Sequence, residues 1–121
     1  MSTTVLLVDD HVGFRREAQR MLADAGFDVV AEAGSGAEGL SAATRTSPDV
    51  ILLDIALPDA SGLDLIAPLR GAAPEARVVL ISSRSRAEFG GRIAQSGADG
   101  FVDKVAFGTA SQAELLDLLQ G

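Results

Sequence analysis

The chain has 121 residues, 47% hydrophobic and 22% charged, enough for one self-sufficient core and too apolar for a disordered segment. Seventeen acidic side chains against ten basic ones leave a net charge of −7, which repels phosphate backbones and argues against direct nucleic-acid binding. Cysteine is absent, which removes disulfides, thiolate nucleophiles and cysteine-ligated metals; no apolar run approaches a membrane span and the N-terminus lacks a signal peptide's basic flank, so a cytoplasmic protein is expected.

The predicted elements alternate. Val5-Leu6-Leu7-Val8 is a continuous apolar run, as a strand covered on both faces requires. Phe14, Ala18, Met21, Leu22 and Ala25 recur at helical spacing, and Gly26 closes that helix. Asp28 to Ala33 reads as a second strand, and Ser35 with Glu38 is a capping box opening a helix to about Thr46. Val50 to Leu53 is a third buried strand ending at Asp54, followed by the turn residues Leu57 to Gly62. A helix around Asp64 to Leu69 is expected to be kinked or short, because Pro68 lacks an amide donor. Val78 to Ser82 is a fourth strand, Ala87 to Ser96 a helix weakened by Gly90 and Gly91, and Gly100 to Asp103 a short fifth strand. Ser111 and Glu114 form a second capping box, before a final helix carrying Leu115, Leu116, Leu118 and Leu119. Five βα units without a linker predict one α/β domain over residues 1–121, a doubly wound parallel sheet with five helices.

Ligands of such sheets sit at the carboxyl ends of the strands. Those ends carry Asp9-Asp10, Asp54, Ser82-Ser83 and Lys104. Three carboxylates drawn together repel one another, and a hard divalent cation with oxygen ligands, Mg²⁺, resolves the repulsion. An ammonium and a hydroxyl beside it suit the oxygens of a phosphoryl group, and a carboxylate can itself be the nucleophile, giving an acyl phosphate. Lys104 is the only lysine among nine arginines, and a compact point charge fills a role that the wider guanidinium fork does not.

Val8-Asp9-Asp10-His11, Leu53-Asp54 with Leu57-Pro58 and Ser61-Gly62, Ile81-Ser82-Ser83, and Gly100-Phe101-Val102-Asp103-Lys104 together resemble the receiver domain of two-component response regulators. The resemblance runs from about Val5 to Leu119. With Ala31-Glu32-Ala33-Gly34-Ser35-Gly36 and Gly97-Ala98-Asp99-Gly100 it is most similar to receivers of the nitrate-response type. It implies a flavodoxin-like sheet in the order 2-1-3-4-5. Asp54 matches the phosphoaccepting aspartate. Asp10 matches the acidic residue that binds Mg²⁺ directly, Asp9 the one acting through a water, and the Ala56 carbonyl completes the metal's protein ligands. Lys104 matches the lysine that neutralises a phosphoryl oxygen. Ser82 matches the hydroxyl that moves to the phosphoryl group, with Ser83 as a register competitor. Phe101 matches the aromatic switch. His11 is given no catalytic role.

The implied function is a signalling switch, not a metabolic enzyme, that promotes its own Mg²⁺-dependent phosphorylation and dephosphorylation. Its donor is a sensor histidine kinase or a histidine phosphotransfer protein. Its output is a downstream protein partner or an output domain missing from this chain, with a phosphorylation-dependent homodimer as a further expectation and no membrane contact. The rival is a receiver-like interaction module that works by dimerisation without phosphorylation.

Other α/β chemistries fit less well. Gly34-Ser35-Gly36-Ala37-Glu38-Gly39 satisfies the dinucleotide fingerprint, but it follows the second strand rather than the first. A haloacid-type phosphatase needs a second Asp where Ala56 stands, no nucleotide-binding P-loop is present, and there is no Trp or Tyr to stack a flavin. Val105 stands where many receivers have Pro, so Val105 to Ala110 is expected to follow a different path. Asp103 replaces a usual apolar residue, with Arg84, Arg86 and Arg92 as candidate ion-pair partners. The fourth helix is expected to be mobile. Ala56 and Arg84 flank the site in a way that predicts slow loss of the phosphoryl group.

Overall fold

The structure, a computed structural model, describes residues 2–120; Met1 and Gly121, the ends of the predicted domain, lie outside the described residues. Five strands form one parallel sheet: β1 (Thr4–Val8), β2 (Asp28–Ala33), β3 (Val50–Asp54), β4 (Arg77–Ser82) and β5 (Gly100–Asp103), in the order β2-β1-β3-β4-β5. Alternation within each apolar run feeds two cores. Leu6, Val8, Ile51, Leu53, Val78 and Leu80 face one side, and Val5, Leu7, Val50, Leu52, Val79 and Ile81 the other.

Among the described residues six α-helices cover the sheet rather than the five expected. They are α1 (Val12–Asp24), α2 (Gly36–Thr46), α3 (Gly62–Ala72), α4 (Arg92–Gln95), α5 (Lys104–Gly108) and α6 (Gln112–Gln120). Ala42, Ala43, Leu65, Ile66, Leu69 and Ile93 cover the first face; Ala18, Leu22, Phe107, Leu115 and Leu119 cover the second.

Three departures from expectation have local causes. Helix α3 runs through Pro68 to Ala72, longer than predicted, because Leu65, Ile66 and Leu69 all bury against the sheet. Each such burial is worth about 1.5–3 kcal/mol, enough together to offset one broken helical turn. The predicted helix from Ala87 to Ser96 is instead a 3-10 turn, Arg86–Phe89, and the single-turn α4, because Gly90 adopts φ +58° between them. Helix α5 is the additional one. Without a proline after Lys104 the chain turns helical at once, and the Asp103 carboxylate accepts the Ala106 amide at 2.7 Å as its cap. Asp103 therefore caps a helix rather than pairing with Arg84, Arg86 or Arg92.

So short a pair of turns holds few internal hydrogen bonds. Amides of residues 86–95 are expected to exchange with solvent faster than those of α1 and α2; equal protection in a hydrogen-exchange measurement would contradict this.

Candidate functional site

The parallel sheet delivers the chemistry to one edge. Asp9 follows β1, Asp54 ends β3, Ser82 ends β4 and Lys104 follows β5. Asp9 and Asp54 are 1% and 2% exposed, whereas Asp10 stands on the rim at 36%. The Lys104 ammonium lies 2.7 Å from Asp9 Oδ2 and 3.3 Å from Asp54 Oδ2. Asp54 Oδ1 accepts the Ala56 amide at 3.1 Å. Burial, and then the charge of Asp9, push the Asp54 carboxyl above its ordinary value, while Lys104 and the Ala56 amide pull it back.

The structure thus brings together Asp9, Asp10, Asp54 and Lys104. Ala56 adjoins them through its amide and an antiparallel bridge to Ser61. Ser82 is buried, its Oγ accepting the Arg84 amide at 3.0 Å, and it lines a cavity of about 420 Å³ together with Ala56, Ser83, Arg84, Phe89 and Arg92. Phe101 is half-buried, its ring edge-on to Phe89 with centroids 6.2 Å apart.

Three further side chains, His11, Phe14 and Asp59, make contacts at or beside the site that the sequence does not announce. His11 enters the cluster, its Nδ1 3.2 Å from Asp9 Oδ1, 3.3 Å from Asp10 Oδ1 and 3.9 Å from Asp54 Oδ2. Phe14 of α1 lies under the Lys104 ammonium, 4.8 Å from ring centroid to Nζ, and packs against the buried Phe107 of α5. The extra helix thereby supports the wall on which the ammonium rests. Asp59, at the tip of the β3–α3 loop, accepts the Gly36 and Ala37 amides at 2.7 and 3.0 Å. Those two bonds hold its carboxyl below the usual range. They also settle the dinucleotide fingerprint: the helix start that would receive a pyrophosphate already holds a carboxylate, and a Cβ on Gly36 would come within 2.9 Å of Leu65.

Gly62 closes that loop beneath the site. Its amide donates to the Ile55 carbonyl at 2.8 Å, and a Cβ there would lie 2.4 Å from the Asp54 carbonyl oxygen and 2.9 Å from Ile55 Cα. Backbone cannot yield as a side chain does, so Gly62→Ala is expected to cost about 1–3 kcal/mol, read as a lowered denaturation midpoint.

The donor set suits a hard divalent cation. One ligand atom each from Asp9, Asp10, His11 and Asp54 lie within 4.8 Å of one another, and two buried carboxylates sharing a site call for a compensating positive charge beyond one ammonium.

Residues 5–119 match the family model described as the response regulator receiver domain. The chain is 40% identical over 101 residues to the nitrate/nitrite response regulator protein homolog of Haemophilus influenzae, covering 83% of this chain and 49% of that protein. Among solved structures it is similar to the signal receiver domain of the response regulator NarL from Mycobacterium tuberculosis, with TM-score 0.83, 32% identity, and 99% and 98% of the two chains covered. It is also similar to a Burkholderia pseudomallei response regulator solved with a phosphorylated aspartic acid, a calcium ion and citrate, with TM-score 0.82, 28% identity, and 98% and 67% covered. The chain spans about half the length of the curated relatives it matches. Among the described residues no helix is long and apolar enough to cross a membrane.

Proposed function

The chain belongs to the response regulator receiver domain family, and from that premise we propose that residues 1–121 form one receiver domain that takes a phosphoryl group on Asp54. The observation that carries the reading is the buried Asp54 carboxylate held 3.3 Å from the only lysine, beside Asp9 and Asp10 at one sheet edge. The donor is a phosphohistidine on a sensor kinase or a phosphotransfer protein, and the domain acts in the cytoplasm. The Burkholderia relative's phosphorylated aspartate and calcium ion support both the acceptor and the cation.

An Asp54 oxygen attacks phosphorus, the P–N bond to the donor imidazole breaks, and the imidazole leaves with the electron pair and gains a proton. The Ala56 amide and the Lys104 ammonium fix the two oxygens of Asp54 and so orient the carboxylate. Asp10, Asp54 and the Ala56 carbonyl would hold Mg²⁺, with Asp9 through water; when bound, the ion neutralises phosphoryl oxygens. Lys104 neutralises another. Ser82 Oγ accepts the Arg84 amide, which leaves its own proton free to donate to the phosphoryl group. That movement, with repacking of Phe101 against Phe89, carries the change to the surface of β5 and α6, where an output partner or a second copy docks.

The Asp9–Asp54 repulsion is a cost that a phosphorylation-independent docking module has no reason to retain. Incubation with acetyl phosphate or beryllium fluoride and Mg²⁺ tests the reading. Amide shifts spreading from Asp54 to β5 are expected; an unchanged NMR spectrum at saturating reagent would refute it.

A further inference from the structure

His11 is the chain's only histidine, and nothing in phosphoryl transfer by Asp54 requires it. Its position is nonetheless specific. It precedes α1, and its backbone amide donates to Asp9 Oδ1 at 2.7 Å, which fixes the base of the side chain over the acidic pair. The imidazole is 64% exposed, yet Nδ1 turns inward to three carboxylate oxygens from two strand ends, at 3.2, 3.3 and 3.9 Å.

These spacings carry metal-binding information. In an octahedral site with bonds of about 2.1 Å, adjacent ligand atoms lie roughly 3.0 Å apart and opposite ones roughly 4.2 Å. The distances from His11 Nδ1 to the oxygens of Asp10 and Asp54, 3.3 and 3.9 Å, fall within that range. A second feature points the same way. Asp9 Oδ2 is buried and meets the Lys104 ammonium at 2.7 Å without hydrogen-bond alignment, and the same ammonium lies 3.2 Å from His11 Nδ1. One ammonium is therefore shared by two carboxylates, Asp9 and Asp54, and by the lone pair of an imidazole nitrogen. A divalent ion on the rim would take Nδ1, with the ring proton on Nε2, and release Lys104 to the carboxylates alone.

We propose that His11 Nδ1 is an inner-sphere ligand of the cation held by Asp10 and Asp54, which gives this receiver a preference for imidazole-favouring first-row divalent ions such as Ni²⁺ over Mg²⁺. The inference rests on the acidic cluster being the metal centre of the proposed phosphoacceptor. Oxygen-only sites discriminate weakly in favour of such ions, whereas one neutral imidazole adds a ligand that Mg²⁺ uses poorly. Ion identity then becomes a variable of the switch, because whichever divalent ion occupies the rim sits against the incoming phosphoryl oxygens.

The absence of any other imidazole or thiol makes the test unambiguous in tag-free protein. Calorimetric titration with Ni²⁺ and with Mg²⁺ gives a ratio of dissociation constants, and His11→Ala is expected to shrink that ratio by roughly tenfold or more. Asp10→Asn should weaken both ions, placing them at one site. Electron spin-echo spectroscopy of the Cu²⁺-loaded protein should show the ¹⁴N coupling of a single imidazole, absent in His11→Ala. An unchanged ratio, or no ¹⁴N coupling in the wild type, overturns the proposal. Beryllium fluoride uptake with Mg²⁺, run alongside, separates the two readings: uptake without imidazole coupling removes His11 as a ligand and leaves the phosphoacceptor standing, and coupling without uptake does the reverse.

Discussion

Asp54→Asn is expected to abolish acid-labile phosphate incorporation while making the protein more stable, two effects of opposite sense from one substitution. The first follows because the amide cannot form the acyl phosphate, and no other carboxylate has both the burial of Asp54 and its contact with Lys104 and the Ala56 amide. Intact mass after incubation with a phosphodonor should lose the increment of one phosphoryl group entirely. The second follows from linkage. Burial and the Asp9 charge hold the Asp54 carboxyl above its ordinary value in the folded state. Below its unfolded-state value both states are protonated and nothing is lost; above its folded-state value the charged carboxylate weakens the fold in full. The asparagine keeps an oxygen for the Ala56 amide and removes the charge. A gain on the order of 1 kcal/mol at neutral pH is expected, shrinking as pH falls through the carboxylate range. Chemical denaturation at several pH values checks both the sign and the window.

Lys104→Met is expected to produce the largest loss of stability of any single change at the site. It strips the counter-charge from two buried carboxylates at once, and removing one partner of a buried ion pair costs about 3–5 kcal/mol. Lowering the pH should restore part of the loss, because protonation of Asp54, whose carboxyl is already held above its ordinary value, removes the repulsion. Saturating Mg²⁺ should restore part of it too, since the ion supplies charge to the same oxygens. Lys104→Arg is not expected to rescue: the ammonium sits between Asp9, Asp54 and the face of Phe14, and a planar fork does not fit that point. Thermal midpoints with and without Mg²⁺ measure each statement, and an unaltered midpoint in metal-free Lys104→Met would contradict them.

The strands and the assembly of the acidic site are legible because both depend on periodicity, whereas the strand order follows only from the family resemblance. Continuous apolar runs such as Val50 to Leu53 mark strands covered on both faces, and in a parallel sheet the polar residues that follow must share one edge. What stayed hidden depends on contacts between distant segments or on a choice between competing local signals. His11 and Lys104 are 93 positions apart, and no pattern at either end announces their meeting. Phe14 read as an ordinary helix-core position, and only the added turn of α5, with Phe107 beneath it, turns its ring into a seat for the ammonium. Asp103 read as one more strand residue, and strand alternation suggested an arginine partner; the available Ala106 amide three residues on was the nearer attraction. Pro68 does not shorten its helix, because the three apolar residues around it belong to the core and one missing amide does not outweigh them. The glycine pair at Gly90 and Gly91 does more than weaken a helix, since the positive φ of Gly90 divides it.

The hold of Asp59 on the start of α2 reaches beyond the architecture of the loop. A turn of that sequence elsewhere would be a berth for the abundant nucleotides and redox coenzymes of a cell. Here the molecule fills that position with its own side chain, so the helix start offers its amides to no outside anion.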